Sequence, residues 1–293
     1  MKDLLQRLEE GPVLGDGGYL MALRLRGFLQ AGSMTPEVVA THPQEVRRLT
    51  AEFREAGAEV LQTLTFFGTT NMLARAGFGD RAEEINRTAC RIAREAAGDG
   101  ALVAGNLNSP SIVEGDYDPA DESTRRRTRE WLEEQLPWIC GEGVDFLILE
   151  TFEWLDEALV ALDVARRTDH TLVVTMSFAD EGRLTRDGVG PAECARRLAD
   201  AGAHVVGVNC LWPPDRQMEC AKQMQAAVDV PVCCQPSAWH SWWSSPRAAG
   251  PETFARFAGR AAAAGIRYVG ACCGAGPEHI RAMARTLGKG GGT

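Results

Sequence analysis

The chain has 293 residues, of which 45% are hydrophobic and 24% are charged, as is usual for a globular protein with a large core. Its formal net charge of −9 argues against a nucleic-acid ligand, because phosphate backbones are bound by clustered Lys and Arg. No apolar run is long enough to span a membrane, the N-terminus lacks the character of a signal peptide, and the nine cysteines are an odd number; we therefore expect a cytoplasmic protein with reduced thiols and no membrane contact.

Strand-like and helix-like segments alternate along the chain. In four segments a helical pattern ends at a glycine and an apolar run follows, as where a left-handed glycine closes a helix before a buried parallel strand: 55–63, 141–150, 200–210 and 263–273. Further apolar runs fit the same role: Val13–Gly15, Ala101–Gly105, Leu172–Ser177 and Val230–Gln235. The helical patterns between them are Pro43–Ala56, Ala82–Ala97, Arg125–Cys140, Trp154–Arg167, Pro191–Ala201 and Pro251–Ala264.

This alternation of eight strands with helices predicts an α/β fold, a (β/α)8 TIM barrel. We expect one domain over residues 1–287 and a flexible, glycine-rich tail over 288–293. The connections 107–122 and 236–250 are longer than usual, which is typical of loops that carry function.

Polar residues follow the predicted strands, at the barrel end where chemistry collects in this fold. They are Asp16, Thr63, Thr65, Asn106, Glu150, Ser177, Asn209, Cys210, Gln235, Cys272 and Cys273. Strands must end in something polar, and this explains several of them. It explains the three cysteines less well.

Cys210, Cys272 and Cys273 would meet on one rim and form a zinc site with an open fourth position. The spacing alone is weak evidence, because there is no CxxC pair. Cys233 and Cys234 lie inside a strand and are expected to pack as small hydrophobic residues. The remaining cysteines fall in helical patterns and are interpreted in the same way: Cys90, Cys140, Cys194 and Cys220.

An all-thiolate zinc is a mild Lewis acid, poor at activating water. It suits the binding of a substrate thiol as thiolate, which is the nucleophilic form. The site therefore favours alkyl transfer to a thiol over hydrolysis.

Three segments carry a resemblance to a known family: VLGDGGYL at 13–20, GVNC at 207–210 and GACCG at 270–274. They resemble the signature segments of the homocysteine S-methyltransferases, and most closely the betaine-dependent members. The likeness extends over nearly the whole chain, to about residue 285.

The resemblance implies a zinc-dependent barrel in which Cys210, Cys272 and Cys273 hold Zn²⁺ and the homocysteine thiol takes a metal position. It also implies that Asp16 and Glu150 hold the amino-acid end of homocysteine. Taken alone, Asp16 could be a turn residue and Glu150 a helix cap. The full set of expected substrate contacts is Asp16, Glu150, Asn209, Phe66, Phe67, Thr151 and Trp239.

The chain departs from the betaine-dependent enzymes at three aromatic positions. Met34, Phe67 and Thr151 stand where those enzymes carry Trp, Tyr and Tyr. Trp239, with Trp242 and Trp243 in the loop after strand 7, could supply a cation–π surface instead, or could simply cover the barrel mouth.

We therefore predict a zinc-dependent S-methyltransferase that moves a methyl group from a small onium donor to homocysteine and gives methionine. The alternatives are S-methylmethionine, a sulfonium, as the donor, and a non-catalytic barrel that binds thiols or zinc. The expected partners are homocysteine and the donor, with a homo-oligomer left open, because the long segment that follows the paired cysteines in the animal enzymes is absent.

Overall fold

The computed structural model describes residues 2–29, 34–109, 111, 117–179, 183–239 and 249–289. Its centre is one sheet of parallel strands: β1 (Val13–Leu14), β2 (Val60–Gln62), β3 (Leu102–Asn108), β4 (Phe146–Phe152), β5 (Thr171–Met176), β6 (Val205–Asn209), β7 (Val232–Gln235) and β8 (Tyr268–Val269). The order of the 8 strands, β1-β8-β7-β6-β5-β4-β3-β2, is that of a barrel wall and confirms the predicted fold.

Helices lie before and between the strands. They are α1 (Leu4–Glu10), α2 (Tyr19–Leu25), α3 (Val38–Thr41), α4 (Pro43–Glu55), α5 (Thr70–Arg75), α6 (Ala82–Ala97), α7 (Glu122–Cys140), α8 (Leu155–Ala165), α9 (Pro191–Asp200), α10 (Pro214–Gln225), α11 (Pro251–Ala263) and α12 (Pro277–Thr286), with a 3-10 turn at Gly79–Arg81. None of the described helices combines the length and the apolar character that crossing a bilayer requires. The six helices expected from the pattern are present, with ends shifted by up to three residues.

The sequence pattern misplaced the end of strand β3. The apolar run suggested a strand that stops at Gly105, but β3 continues to Asn108. The inward side chains become polar at Asn106 and Asn108 while Leu107 still packs in the outer core, so hydrophobicity is lost before the ladder ends. The connection predicted at 107–122 is therefore shorter, and residues 110 and 112–116 of it lie outside the described part of the chain.

The seam between β1 and β2 closes the wall in an unusual way. Glu59 N donates to Leu14 O at 2.8 Å, and β1 pairs with β8 on its other side. Farther along, Gln62 N donates to the side chain of Asp16, at 2.7 Å from Oδ2. A side-chain oxygen thus accepts the bond that a neighbouring strand would otherwise accept.

The barrel interior is layered. Leu4 and Leu8 of α1 pack with the lower inward side chains of the strands, including Phe146 and Tyr268, and fill the amino-terminal end. Because side chains alternate along a strand, the next inward residues form a layer above this one. That layer is polar and buried: Gln62, Asn106, Glu150, Thr175, Asn209 and Gln235. The predicted site residues stand in this layer or just above it.

Candidate metal centre and substrate site

Three thiols meet at the carboxyl ends of β6 and β8. Cys210 Sγ lies 3.7 Å from Cys273 Sγ, which lies 3.9 Å from Cys272 Sγ. All three sulfur atoms are within 4.8 Å of one another. Zn–S bonds of about 2.3 Å at tetrahedral angles separate sulfur ligands by about 3.8 Å. The three side chains predicted as ligands are therefore spaced as a tetrahedral metal site needs.

The backbone at Cys210 is held in a left-handed conformation. Its φ is 59° and that of Leu211 is 50°, a region that costs a residue with a side chain about 1–2 kcal/mol. Two hydrogen bonds help to hold this conformation: Cys210 N donates to Gln235 O at 3.1 Å, and the carbonyl of Cys210 accepts from the side chain of Gln217. Strain of this kind is concentrated at functional sites.

The two adjacent cysteines are fixed by the strand-7 connection. Cys272 N donates to Pro236 O and Ala238 N donates to Cys273 O, both at 2.9 Å. Gly18 passes so close that a Cβ would lie 2.8 Å from Cys272 O, which explains why this motif position has no side chain. The VLGDGGYL segment at 13–20 and the GACCG segment at 270–274 therefore pack against each other.

The thiols share their protons unequally. Hydrogen bonds from Cys272 and Cys273 lower the pKa of Cys210, whereas bonds to Cys210 raise the pKa of each of its partners. Ser237 Oγ also donates to Cys210 Sγ at 3.8 Å. Cys210 is therefore the first of the three to become a thiolate.

The other cysteines are buried in the core, except Cys140, which is half-buried and packs against it. Cys233 faces the barrel interior and Cys234 the surrounding helices, and burial raises the pKa of both thiols. Burial also raises the pKa of the four helical thiols: Cys90, Cys140, Cys194 and Cys220. None of the nine cysteines, all of which lie in the described part of the chain, forms a disulfide.

Asp16 and Glu150 are joined by a chain of hydrogen bonds through Gln62 and Asn106. Gln62 N donates to Asp16 Oδ2, and Gln62 Oε1 accepts from Asn106 Nδ2 at 2.7 Å. Asn106 Nδ2 also donates to Glu150 Oε1. Tyr19 OH donates to Asp16 Oδ2 at 2.8 Å. The sequence analysis identifies Asn106 only as a polar residue at a strand end. It does not identify Gln62 or Tyr19 as site residues, although Tyr19 belongs to the motif that contains Asp16.

Both carboxyl groups are poised to accept a cation. Burial raises the pKa of Asp16 to about 7 and that of Glu150 to about 8, despite the hydrogen bonds donated to them. Two oxygens of this layer, Asp16 Oδ1 and Asn106 Oδ1, are buried with no hydrogen-bond partner among the described residues. A bound cation would restore the ionised state of both carboxyls.

Asn209 connects the carboxyl pair to the thiols. Its Nδ2 donates to Glu150 Oε2 and to Thr151 Oγ1, both at 2.8 Å. Its Oδ1 accepts from Thr151 N and from Thr175 Oγ1, both at 3.0 Å. Cys210 follows it in the chain. The amide predicted to touch substrate is thus fully engaged with protein atoms.

The residues expected around a methyl donor lie at the ends of three strands: Phe66 and Phe67 after β2, Thr151 in β4 and Trp239 after β7. The rings of Phe66 and Phe67 are 4.4 Å apart between centroids, inclined at 60°. Thr151 has a φ of 63° and its hydroxyl accepts from Asn209. The indole of Trp239 packs against Gly274, where a Cβ would lie 3.0 Å from the ring. Trp242 and Trp243 lie outside the described residues.

The family is decided by comparison with known proteins. A model of the homocysteine S-methyltransferases matches residues 13–287. The chain belongs to the homocysteine S-methyltransferase family. The S-methylmethionine–homocysteine S-methyltransferase of Mus musculus is 37% identical, over 98% of this chain and 81% of that protein. The betaine–homocysteine S-methyltransferase 1 of Xenopus laevis is also 37% identical, over 98% of this chain and 75% of that protein.

A solved structure with the same fold is that of the homocysteine methyltransferase MmuM from Escherichia coli in its metallated form. It superposes with a TM-score of 0.81, covers 96% of this chain and 99% of its own, and is 19% identical. This match supports the fold. The family match confirms the prediction of a homocysteine S-methyltransferase. The two relatives named above are equally similar to this chain although their names give different methyl donors, so the comparison does not identify the donor.

Proposed function

We propose that this homocysteine S-methyltransferase binds one Zn²⁺ through Cys210, Cys272 and Cys273 and uses a small onium compound as methyl donor. The observation that carries the proposal is the convergence of three thiols, within 4.8 Å of one another, beside a buried pair of carboxyls. Zinc bound to three thiolates would hold the homocysteine sulfur as an electron-rich thiolate at neutral pH.

Asp16, Glu150 and Asn106 are proposed to bind the ammonium group of homocysteine. An ammonium has three N–H donors, and the layer offers Glu150 with the unpartnered Asp16 Oδ1 and Asn106 Oδ1. Asn209 would act through Glu150, since its own amide is occupied. This arrangement also counts against a non-catalytic thiol or zinc store, which needs thiolates but no receptor for an amino-acid head group.

The reaction is a nucleophilic displacement. A new S–C bond forms as the bond between the methyl carbon and the onium heteroatom breaks, and the leaving molecule takes that electron pair and becomes neutral. No general acid is needed for its departure. The protein's part is to hold the thiolate, the methyl carbon and the leaving atom in line, which is worth several orders of magnitude in rate.

S-Methylmethionine is the donor that the rim residues favour over betaine. Phe66 and Phe67 offer ring faces without a hydroxyl, Thr151 has its hydroxyl bonded to Asn209, and Met34 is not aromatic. Two lost cation–π faces and one lost hydrogen bond, at about 1 kcal/mol each, would weaken betaine binding by about a hundredfold. Trp239, whose indole packs against Gly274 next to the paired cysteines, would offer a sulfonium a cation–π surface.

A donor panel tests this proposal. Protein purified under reducing conditions is assayed for zinc content and for methionine formation from homocysteine with S-methylmethionine, betaine and other methylated onium compounds. We expect about one zinc per chain and the highest kcat/KM with a sulfonium. Metal-free protein with full activity would exclude the zinc proposal. Betaine as the best donor would show that Trp239 and its loop restore a betaine site.

A further inference from the structure

The turn after strand β2 holds a bulky residue in a conformation that favours glycine. Gly68 N donates to Thr65 O at 2.9 Å, which closes a four-residue turn, and Phe67 is its third residue with a φ of 54°. Turns with a positive φ at this position usually carry Gly or Asn there. Phe67 is nearly fully buried and Phe66 is half-buried beside it. Something outside the turn must hold it.

Asn108, at the end of β3, supplies the first support. Its Oδ1 accepts from Phe67 N at 2.7 Å, and its side chain is buried. Asn108 is also the register partner of Glu150 in the β3–β4 ladder. The turn is therefore tied to the strand position directly beside Glu150 of the proposed ammonium receptor.

Two helices outside the barrel supply the second support. Gln135 Nε2 of α7 donates to Thr65 O and to Asn86 Oδ1, both at 2.9 Å. Asn86 Nδ2 of α6 donates to Gly68 O at 2.7 Å. A Cβ on Gly68 would lie 2.7 Å from Asn86 Oδ1 and 2.9 Å from Gln135 Nε2, so these amides leave the turn no space to shift.

We propose that Asn108 and the Asn86–Gln135 pair are positioning residues for the methyl donor, which they serve by fixing Phe66 and Phe67 as a rigid aromatic wall of the onium site. None of the three amides needs to touch substrate, and Gln135 lies behind the turn with no exposed surface. The inference rests on the proposed function, because it takes the onium donor as the ligand of this wall.

A rigid wall matters because an onium ion has no directional hydrogen bond with which to draw the rings into place. Its attraction to a ring depends on the cation staying within about 6 Å of the ring centre. If the turn relaxes to a negative φ at Phe67, both rings change direction while the thiols, Asp16 and Glu150 keep their own supports. Loss of the supports should therefore affect the donor and leave homocysteine unaffected.

The test is steady-state kinetics and zinc analysis of Asn108→Leu, Asn108→Asp and Gln135→Leu, with S-methylmethionine as donor. In Asn108→Leu the N–H of Phe67 loses its acceptor, and we expect the donor KM to rise about tenfold. Asn108→Asp keeps an acceptor oxygen and should stay within about threefold of the wild type. Gln135→Leu should raise the donor KM in the same way. It tests the inference independently if Asn108→Leu does not fold. For homocysteine, KM should change by less than about twofold and zinc content should be constant.

Thr128→Val is the matched control. Thr128 is a buried polar residue of the same helix as Gln135, but its hydroxyl faces Glu157 at 3.5 Å and not the turn. It should lower thermal stability without separating the two KM values. An unchanged donor KM in Gln135→Leu and in a folded Asn108→Leu, or an equal rise for donor and homocysteine, would overturn the inference. A wild-type protein that neither turns over nor binds any onium in calorimetry would overturn the proposed function, and the inference with it. This outcome is distinct from the two above, which overturn the inference alone.

Discussion

Replacing Glu150 by Gln tests the proposed ammonium receptor most directly. The carboxyl lies in the buried polar layer, with Asn106 and Asn209 donating to its two oxygens. Burial raises its pKa to about 8, so at neutral pH it is mostly protonated in the free protein. Homocysteine brings an ammonium that favours the ionised form, so its binding must expel that proton.

The size of the effect follows from two opposing terms. A hydrogen bond to a charged partner in such a site is worth about 1.5–3 kcal/mol. Ionising a group one pH unit below its pKa costs about 1.4 kcal/mol, and two units below costs about 2.7 kcal/mol. At pH 8 and above, Glu150→Gln should therefore weaken homocysteine binding by about 10- to 100-fold, whereas at pH 6 the two proteins should bind almost equally.

Isothermal titration calorimetry of the zinc-loaded proteins measures both quantities. Titrations in buffers of different ionisation enthalpy give the protons released on binding. At pH 7 the wild type should release about one proton more than Glu150→Gln, because the thiol proton is common to both. Glu157→Gln is the matched control: Glu157 is also buried with its pKa raised to about 7, but it bonds to Ser109 and not to the site layer.

Two results would refute this reasoning. One is equal homocysteine affinity of wild type and Glu150→Gln at pH 8 together with equal proton release. The other is an equal loss of affinity in Glu157→Gln, which would mean that any buried carboxyl has this effect. Zinc content must be the same in all three proteins for the comparison to hold.

Three further outcomes are expected. Cys272→Ser should lose most of its zinc and activity, whereas Cys233→Ser and Cys234→Ser should keep both, as metal analysis and activity assays would show; full zinc in Cys272→Ser would contradict the proposed ligand set. The kcat/KM for S-methylmethionine should exceed that for betaine at saturating homocysteine, and a higher kcat/KM for betaine would contradict the proposed donor preference. Because the folded-state pKa of Glu157 is raised from 4.5 to about 7, its contribution to stability is present below pH 4.5 and is lost as the pH rises through 7. In urea denaturation, Glu157→Gln should raise the free energy of unfolding by about 1–3 kcal/mol more at pH 8 than at pH 4. An equal change at both pH values would contradict a buried Glu157 that is protonated at low pH.

The sequence was sufficient to predict the barrel and the thiol cluster. Apolar runs preceded by glycine mark parallel strands, and the carboxyl ends of such strands meet on one rim whatever their distance along the chain. Cys210 and Cys272 could be brought together for that reason alone. The paired residues Cys233 and Cys234 were separated from them because they lie within a strand run and not after it.

The supports of the site could not be predicted in the same way. Gln62 and Asn106 become a link between two carboxyls only because register places their amides within 2.7 Å, and register between β2 and β3 is not written in either segment. The positive φ of Phe67 has no sequence signal, since an aromatic residue is a poor candidate for it. Helix α12 is not among the helices predicted from the sequence, although Pro277 at its first position and Glu278 in its first turn are typical of a helix start.

The carboxyl group of Asp16 is divided between two tasks. Its Oδ2 belongs to the barrel wall, where it accepts from the Gln62 amide, and only Oδ1 is left for a ligand. An asparagine at this position can keep the hydrogen bond to Gln62 N and give up only the charge, whereas an alanine would remove one of the hydrogen bonds that join β1 to β2. Position 16 therefore has a structural role as well as a role in substrate binding. Substitutions intended to change substrate choice in this barrel are better placed at rim residues whose side chains do not support the backbone.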